Sequence, residues 1–573
     1  KNSIIFITKL RFREEENEMG KSLVNVFKVK NIEESLGEKK PSTKIFFVEN
    51  HVDENGKVEK RIKIQRKPKF TFHSSKDEYK SKLNVNFIEE YKTDVHTVEY
   101  DKLDSYVAKL TKQEEFMKKC IETKDFKSIR NIHAHPDLHF TDVDLEDYKI
   151  REWVETTPKE EVSIIPLRKA FFDIEVDSLK LGRFPDPEEA KCPISMISYF
   201  HQPTMEMHSF LLVVDGCESQ NGFLLNFEDD IEGYCEKLKK EFNEEINKPN
   251  EEENSSKKDL VSSVSVKLFD DELEMIKAFF NQIHTDKPDY ALGWHLVFDL
   301  LTIQNRIMRL GGIPEEVMCP KNFPFKKIWI EQDLEAADFS SRKSKLEITG
   351  YTQYLCMQES FASIRATAGK KDSYKLEDIL MEELGEGKFE YEGEISEAMY
   401  VSYESFAKYS MYDSFRIYQL EDKIKDVDLL HGLFLMTCTR VKKVMTKTTS
   451  IRNFAAKLIK EDGGFILSNN INRFSNNTVK EKFKGAWVAE LTKMKNVGIP
   501  IFGKLSKKIF EDLVDLDLTS LYPSIILSFF IDANIMIGRI EFNDEFGLSG
   551  ADIATLFSEG DAIKLGNKLL DLP

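Results

Sequence analysis

Phe171-Phe172-Asp173-Ile174-Glu175-Val176 is the stretch from which this chain is best understood. In a strand, successive side chains point to opposite faces, so Asp173 and Glu175 share one face while Phe172, Ile174 and Val176 share the other. Two carboxylates on one face, hemmed by bulky apolar residues, repel each other and resist burial unless protons or cations neutralise them. Oxygen-only donors suit hard cations such as Mg²⁺ or Mn²⁺. Taken alone, the D-x-E pattern fits more simply a strand whose polar face meets solvent.

Around this stretch, from about 168 to about 425, β-like runs alternate with helical patterns, which predicts an α/β domain. The first ~165 residues mix short β-like runs with charged turns. Asp53-Glu54-Asn55-Gly56-Lys57 predicts a hairpin, because Asn-Gly suits the two positive-φ positions of a type I′ turn. Arg61-Ile62-Lys63-Ile64-Gln65 then alternates as a half-exposed strand does. Asn247 to Asp259 is polar and without apolar period, and predicts a surface loop.

The whole chain has 573 residues, 41% hydrophobic and 32% charged, with 42 Phe and 18 Tyr. That excludes global disorder and suggests three or four domains at roughly 150 residues each. No run approaches the ~18 apolar residues of a membrane-spanning helix, and nothing resembles a signal peptide. The seven Cys are never spaced as CxxC, which argues against a disulfide framework or a zinc ribbon and fits a reducing cytoplasm. A net charge of −18 disfavours nonspecific coating of nucleic acid but allows an enzyme with a local basic groove.

Two further segments carry acids. Gly293-Trp294-His295-Leu296-Val297-Phe298-Asp299 is one, and Tyr409-Ser410-Met411-Tyr412-Asp413 is the other. The second lies in an amphipathic run from Tyr403 to Lys423, where i, i+4 spacing puts Tyr409 and Asp413 on one helix face. Singly, each has an ordinary structural explanation: Tyr409 as core, Asp413 as a surface acid. The ordered set D-x-E, G-W-x-x-x-F-D and Y-x-x-x-D resembles the three exonuclease motifs of family B DNA polymerases, closest to the replicative enzymes of large tailed bacteriophages. Phe184-Pro185-Asp186-Pro187, Ser373-Tyr374-Lys375-Leu376-Glu377, Gly387-Lys388 and the Asp53–Lys57 hairpin text are similar to that branch as well.

The resemblance implies a multidomain α/β and α+β protein: a β-rich N-terminal domain over 1–165 completed by 426–480, an RNase H-like 3′→5′ exonuclease domain over 166–425, and an incomplete palm over 481–573. It implies that Asp173, Glu175, Asp299 and Asp413 hold two divalent metals, Mg²⁺ or Mn²⁺. Tyr409 and Glu175 would orient the water that attacks the terminal phosphodiester of a 3′ end, with Tyr409 and the four acids as the catalytic set. Two departures stand out. His295 occupies a position where the family usually has Asn, with one residue fewer before Asp299, and Gln353 stands where relatives often carry an acid.

Val514-Asp515-Leu516-Asp517-Leu518-Thr519-Ser520-Leu521-Tyr522-Pro523-Ser524-Ile525-Ile526 reads as a strand, a turn and a helix start. It resembles the first palm motif of family B polymerases. By that likeness Asp517 is a catalytic metal ligand, Leu518, Ser520, Leu521 and Tyr522 bind the incoming dNTP, and Tyr522 excludes a ribose 2′-hydroxyl. Phe483-Lys484-Gly485-Ala486 resembles the linker motif that touches template DNA, which implies DNA contacts from Phe483 and Gly485. The family's second palm carboxylate motif, D-T-D-S, and its K-x-x-x-N-S-x-Y-G helix do not occur in this sequence. Nucleotidyl transfer would therefore require a separate C-terminal polymerase chain or a missing part. The implied partners are primer-template DNA, single-stranded 3′ ends, dNTPs and a sliding clamp bound through the missing C-terminus, with no membrane. The alternative from another class is the non-catalytic half of a split polymerase, acting as an assembly scaffold.

Arg440, Lys442, Lys443, Lys447, Arg452, Lys457 and Lys460 follow one another with no acid between them. Such a run is either a solvated helix face or a phosphate-contacting surface, with Lys442 and Lys443 the candidates for DNA. His133-Ala134-His135 with Asp137 and His139 imitates an H-x-H metal site but lacks matching ligands downstream, so packing is the expectation. Ser340 to Ser344 is a polar turn before strand-like Leu346-Glu347-Ile348, where phage relatives carry a primer-stripping hairpin. No P-loop is present.

Overall fold

The computed structural model describes residues 20–469, apart from 36–37, 54, 81–86, 163–164, 180, 182–184, 214–229, 247–259, 324, 337–338, 343, 367–368, 370 and 390–399. The expected loop at 247–259 and every palm and linker motif after 469 lie outside the described residues.

Strand alternation organises the N-terminal part. β1 (Lys21–Ser35), β2 (Glu38–Val52) and β3 (Val58–Arg66) form an antiparallel sheet in that order. The 53–57 connection is a hairpin where Asn-Gly announced one, but not the type I′ turn. Only Gly56 takes positive φ among its described residues, and the Asp53 carboxylate accepts the backbone N–H groups of Asn55 and Lys57 at 2.9 and 2.8 Å. An acid that satisfies two backbone donors stabilises a five-residue loop with a single left-handed position, so Asn55 keeps ordinary backbone geometry. After β4 (Lys69–Ser75) and β5 (Phe87–Glu89), a second small sheet places β4 between β6 (Thr93–Glu99) and β7 (Leu138–His139).

The principal sheet has six strands: β8 (Lys169–Val176), β9 (Ile194–His201), β10 (Glu206–Leu212), β11 (Ser263–Phe269), β12 (Tyr290–Gly293) and β15 (Gln353–Cys356). Their order is β11-β10-β9-β8-β12-β15. β8, β9 and β10 run antiparallel, while β11, β12 and β15 each pair in parallel with their neighbours. Between the last two strands, β13 (Ile328–Glu331) and β14 (Lys345–Ile348) make a separate antiparallel hairpin.

Alternation divides the apolar residues of β8 between two cores. Phe172 and Ile174 join Phe279, Phe280, Leu300 and Ile303 of the helices Glu272–Asp286 and Leu296–Arg309. Phe171 faces the other side, with Phe200, Phe242, Phe415 and Tyr418. Burying each such ring contributes about 1.5–3 kcal/mol. On this second side the helix Tyr403–Ile424 lies close against β9 through small residues. Ser198 meets Ser414 Oγ at 2.6 Å and donates to the Ser410 carbonyl at 2.9 Å. That close approach brings the neighbouring Asp413 to the strand carrying Asp173, which is paired with Ser198 in register.

The C-terminal end of the described chain returns to the N-terminal part. Buried Arg440 donates to Asp147, Glu146 and Asp144 at 2.9, 2.9 and 2.8 Å. Lys443 pairs with Asp144, Arg452 with Asp142, and Lys460 with Glu155. β16 (Phe465–Leu467) is followed by Ser468, which bridges to His139, and by Asn469, whose amide binds the His133 carbonyl and Thr141.

Candidate active site

β8 and β12 are parallel neighbours, and their C-terminal ends open into the space where the helices at 296 and 403 converge. Crevices at the carboxyl ends of parallel strands are the usual ligand sites of such sheets. Gly293, where β12 ends, is required by crowding: a Cβ there would come within 2.9 Å of the Phe172 carbonyl oxygen. The chain therefore turns tightly, and His295 occupies the cap position of the helix that carries Asp299 one turn later.

Asp173, Glu175 and Asp413 converge, with one ligand oxygen from each within 4.8 Å of the others. They are the only group of three or more His, Cys, Asp or Glu so arranged among the described residues. Asp413 is 1% exposed and Asp299 4%, whereas Asp173 and Glu175 are half-buried on the open side. Asp299 is close enough for the charges of Asp173 and Glu175 to act on it. Two buried oxygens, Asp299 Oδ2 and Asp413 Oδ1, have no hydrogen-bond partner.

Burial, reinforced by mutual repulsion, raises the proton affinity of the group. Burial and then the Asp413 charge push Asp173 up to about 7, with Lys388 opposing. Glu175 and Asp299 are held well above the ordinary carboxylate range, first by burial and then by their acidic neighbours. Asp413 is raised by burial against the pull of Lys388 and a hydrogen bond from Tyr409. Lys388 Nζ donates to Asp413 Oδ2 at 2.7 Å and lies 3.4 Å from the Tyr409 hydroxyl. Burial works against its charge, but Asp413 more than offsets this and keeps the ammonium protonated. Burial also raises the Tyr409 phenol, so it is a neutral donor.

Four carboxylates and one lysine leave an excess of negative charge when ionised, with two unpartnered oxygens buried among them. An all-oxygen set of this kind fits one or two hard divalent cations and no soft metal.

The remaining predicted residues sit elsewhere. Gln353 donates to the Val24 carbonyl at 2.7 Å and to the Tyr290 hydroxyl at 3.2 Å, bracing β15 against β1. The His295 ring stacks on Phe298 and meets Gln332 at 3.4 Å. Lys442 is paired with Glu347 and Lys443 with Asp144. In the His133–His139 segment, His133 binds Asp104 at 2.8 Å and His139 binds Ser75 at 2.8 Å, so the H-x-H text marks packing. Asp517, Leu518, Ser520, Leu521, Tyr522, Phe483 and Gly485 lie outside the described residues. Nothing in the sequence around Gly387-Lys388 marks Lys388 as a site residue. It sits outside any periodic element, and one lysine among 82 basic residues carries no signal beyond its place in Gly387-Lys388.

Residues 116–379 match the family model described as DNA polymerase family B, exonuclease domain. The matched span includes Asp173, Glu175 and Asp299 and ends before Lys388, Tyr409 and Asp413. No curated protein matches the chain.

Proposed function

We propose that this chain, which carries a family B DNA polymerase exonuclease domain, removes nucleotides from DNA 3′ ends as a 3′→5′ proofreading exonuclease. The observation that carries the proposal is the convergence of Asp173, Glu175 and Asp413, with Asp299 near enough to feel the charges of Asp173 and Glu175 and with two unpartnered buried oxygens. Those four acids would hold two Mg²⁺ or Mn²⁺ ions, which when bound supply Lewis acidity at the scissile phosphate. Glu175, on the open side, accepts a hydrogen bond from the incoming water and orients it. The neutral Tyr409 hydroxyl lies beside it as a donor to water or to a phosphate oxygen. Lys388, fixed to Asp413, adds a permanent positive charge where the phosphate gains negative charge. Hydrolysis joins the water oxygen to phosphorus and breaks the bond to the 3′-oxygen, releasing one nucleoside monophosphate per cycle.

The test is degradation of end-labelled single-stranded DNA in Mg²⁺. Conversion to mononucleotides by the unmodified protein, lost in Asp173→Ala plus Glu175→Ala, is expected; degradation that survives the double substitution excludes this site.

The finer reading is the N-terminal, exonuclease and partial palm portion of a phage-type polymerase. The ion pairs of Arg440, Lys443, Arg452 and Lys460 with residues 142–155 support an N-terminal domain over 1–165 completed by 426–480. Nucleotidyl transfer at Asp517 requires a polypeptide supplying the second palm carboxylate. Mixing the two should give primer extension that Asp517→Ala abolishes. Among the described residues no helix is long and apolar enough to cross a membrane.

A further inference from the structure

From Lys57 to Lys69 the chain reads K-V-E-K-R-I-K-I-Q-R-K-P-K, seven cations against Glu59, in a protein whose net charge is −18. This segment is β3 and its two flanks, and β3 is an outer strand of its sheet. One of the seven is spent on structure: buried Lys60 lies 2.7 Å from Asp289 and donates to the Pro288 carbonyl at 2.8 Å. The other six are exposed. Arg61 pairs with Glu59, whereas Lys63, Arg66 and Lys67 form no ion pair among the described residues.

Edge strands are often blunted by charge, but either sign serves that purpose, and mixed signs serve it without self-repulsion. Six exposed cations in one short segment of an acidic protein repel one another and are best satisfied by a polyanion. Arg61 and Lys63 share one face of the strand, about 7 Å apart, and Arg66, at the strand's end, projects from the other face. That is close to the separation of successive phosphates in an extended nucleic-acid strand. The strand is also rigidly held, because the Lys60–Asp289 pair fixes β3 to the residue just before β12, and β12 runs on into the helix carrying Asp299.

We infer that the basic edge formed by Arg61, Lys63 and Arg66 binds the sugar-phosphate backbone of the DNA strand whose 3′ end enters the acid site, upstream of the terminal nucleotides. The inference rests on the proposed exonuclease activity for its substrate, and its measurement does not depend on hydrolysis. Binding of a long fluorescent single strand (tens of nucleotides) is titrated in EDTA over a range of KCl concentrations. Removing three phosphate contacts in Arg61→Gln/Lys63→Gln/Arg66→Gln should flatten the slope of log K against log salt by about 2 and weaken binding about tenfold or more at low salt. The matched triple Lys118→Gln/Lys119→Gln/Lys127→Gln, at exposed positions elsewhere, should leave the slope alone. Cleavage of a trinucleotide in Mg²⁺, too short to span both places, should be equal in all three proteins.

An unchanged slope in the β3 triple overturns the inference and leaves the edge to an acidic protein surface or to simple strand protection. So does equal flattening by the matched triple, or a trinucleotide rate that falls together with long-strand binding. Absence of trinucleotide cleavage by the unmodified protein would count against the exonuclease reading instead, with the salt slopes still deciding the β3 contact.

Discussion

Lys388 stands inside an otherwise acidic site, and its charge opposes the burial that raises Asp173 and Asp413. Lys388→Ala should lower kcat/KM for 3′-end hydrolysis about a hundredfold, the usual cost of one preorganised donor at developing charge. It should also move the acidic limb of the pH–rate profile to higher pH, because carboxylates without a neighbouring cation hold their protons more tightly. Lys388→Arg should return the limb toward its original position. Loss of rate with an unmoved limb would show that Lys388 does not tune the acids. The site's other residues differ in how openly the sequence declares them. Asp173 and Glu175 sit on a strand whose two-residue period assigns each side chain to a face, so their pairing is readable. Asp413 and Tyr409 follow from helical spacing. Lys388 reaches the cluster from a loop 25 residues before Asp413, and only the folded chain reveals that contact.

At the scale of elements, the basic run 440–460 shows where sequence reasoning stops. Its charges are plain, but the acids that pair with Arg440, Lys443, Arg452 and Lys460, from Asp142 to Glu155, lie about 300 residues earlier, and Lys442 turns to Glu347 instead. Whether such a run meets phosphate, solvent or carboxylate is tertiary information. In the folded protein Arg440 is enclosed by three acids and acts as a clasp. Arg440→Met should therefore destabilise the protein by about 3–5 kcal/mol in urea unfolding, since it strands buried carboxylates. Chemical unfolding that matches the unmodified protein would show that the acids find solvent when Arg440 is lost. The six-stranded sheet is legible for the opposite reason: β8 and β9 are dense in Phe, Tyr and Ile, and local propensity and packing agree. The 53–57 hairpin lies between these cases. Asn-Gly fixed the position of the turn, and the Asp53 side chain, acting on two backbone groups, determined its type.

The whole molecule carries two opposed responses to acid. Burial lowers His73, His139, His201, His284 and His431 to about 4 from an ordinary 6.5. A depressed folded value gives stability that is present above 6.5 and lost as pH falls through 4. Asp173 is the reverse: with a folded value of about 7 against an ordinary 3.8, it gives stability present below 3.8 and lost as pH rises through 7. A divalent cation binds the ionised acids only, so it should offset the alkaline loss. Mg²⁺ at a hundredfold excess over its Kd should add about 2.7 kcal/mol at about pH 8, and almost nothing at about pH 5. Thermal unfolding at the two pH values, with and without Mg²⁺, checks this; an equal shift at both would mean the ion binds outside the acid cluster.

The Arg440 clasp also sets an order of events during synthesis. At roughly 5–20 residues per second, a ribosome that has made Asp144, Glu146 and Asp147 needs about 15–60 s more to deliver the arginine that encloses them. For that interval Asp144 and Asp147 lack the Arg440 guanidinium, Glu146 has only Lys28 as its partner, and the segment lacks the Ser468 and Asn469 contacts to His139 and Thr141. The six-stranded sheet from β8 to β15 is complete before those contacts exist, so the segment around Asp144 closes after the sheet that follows it in the chain.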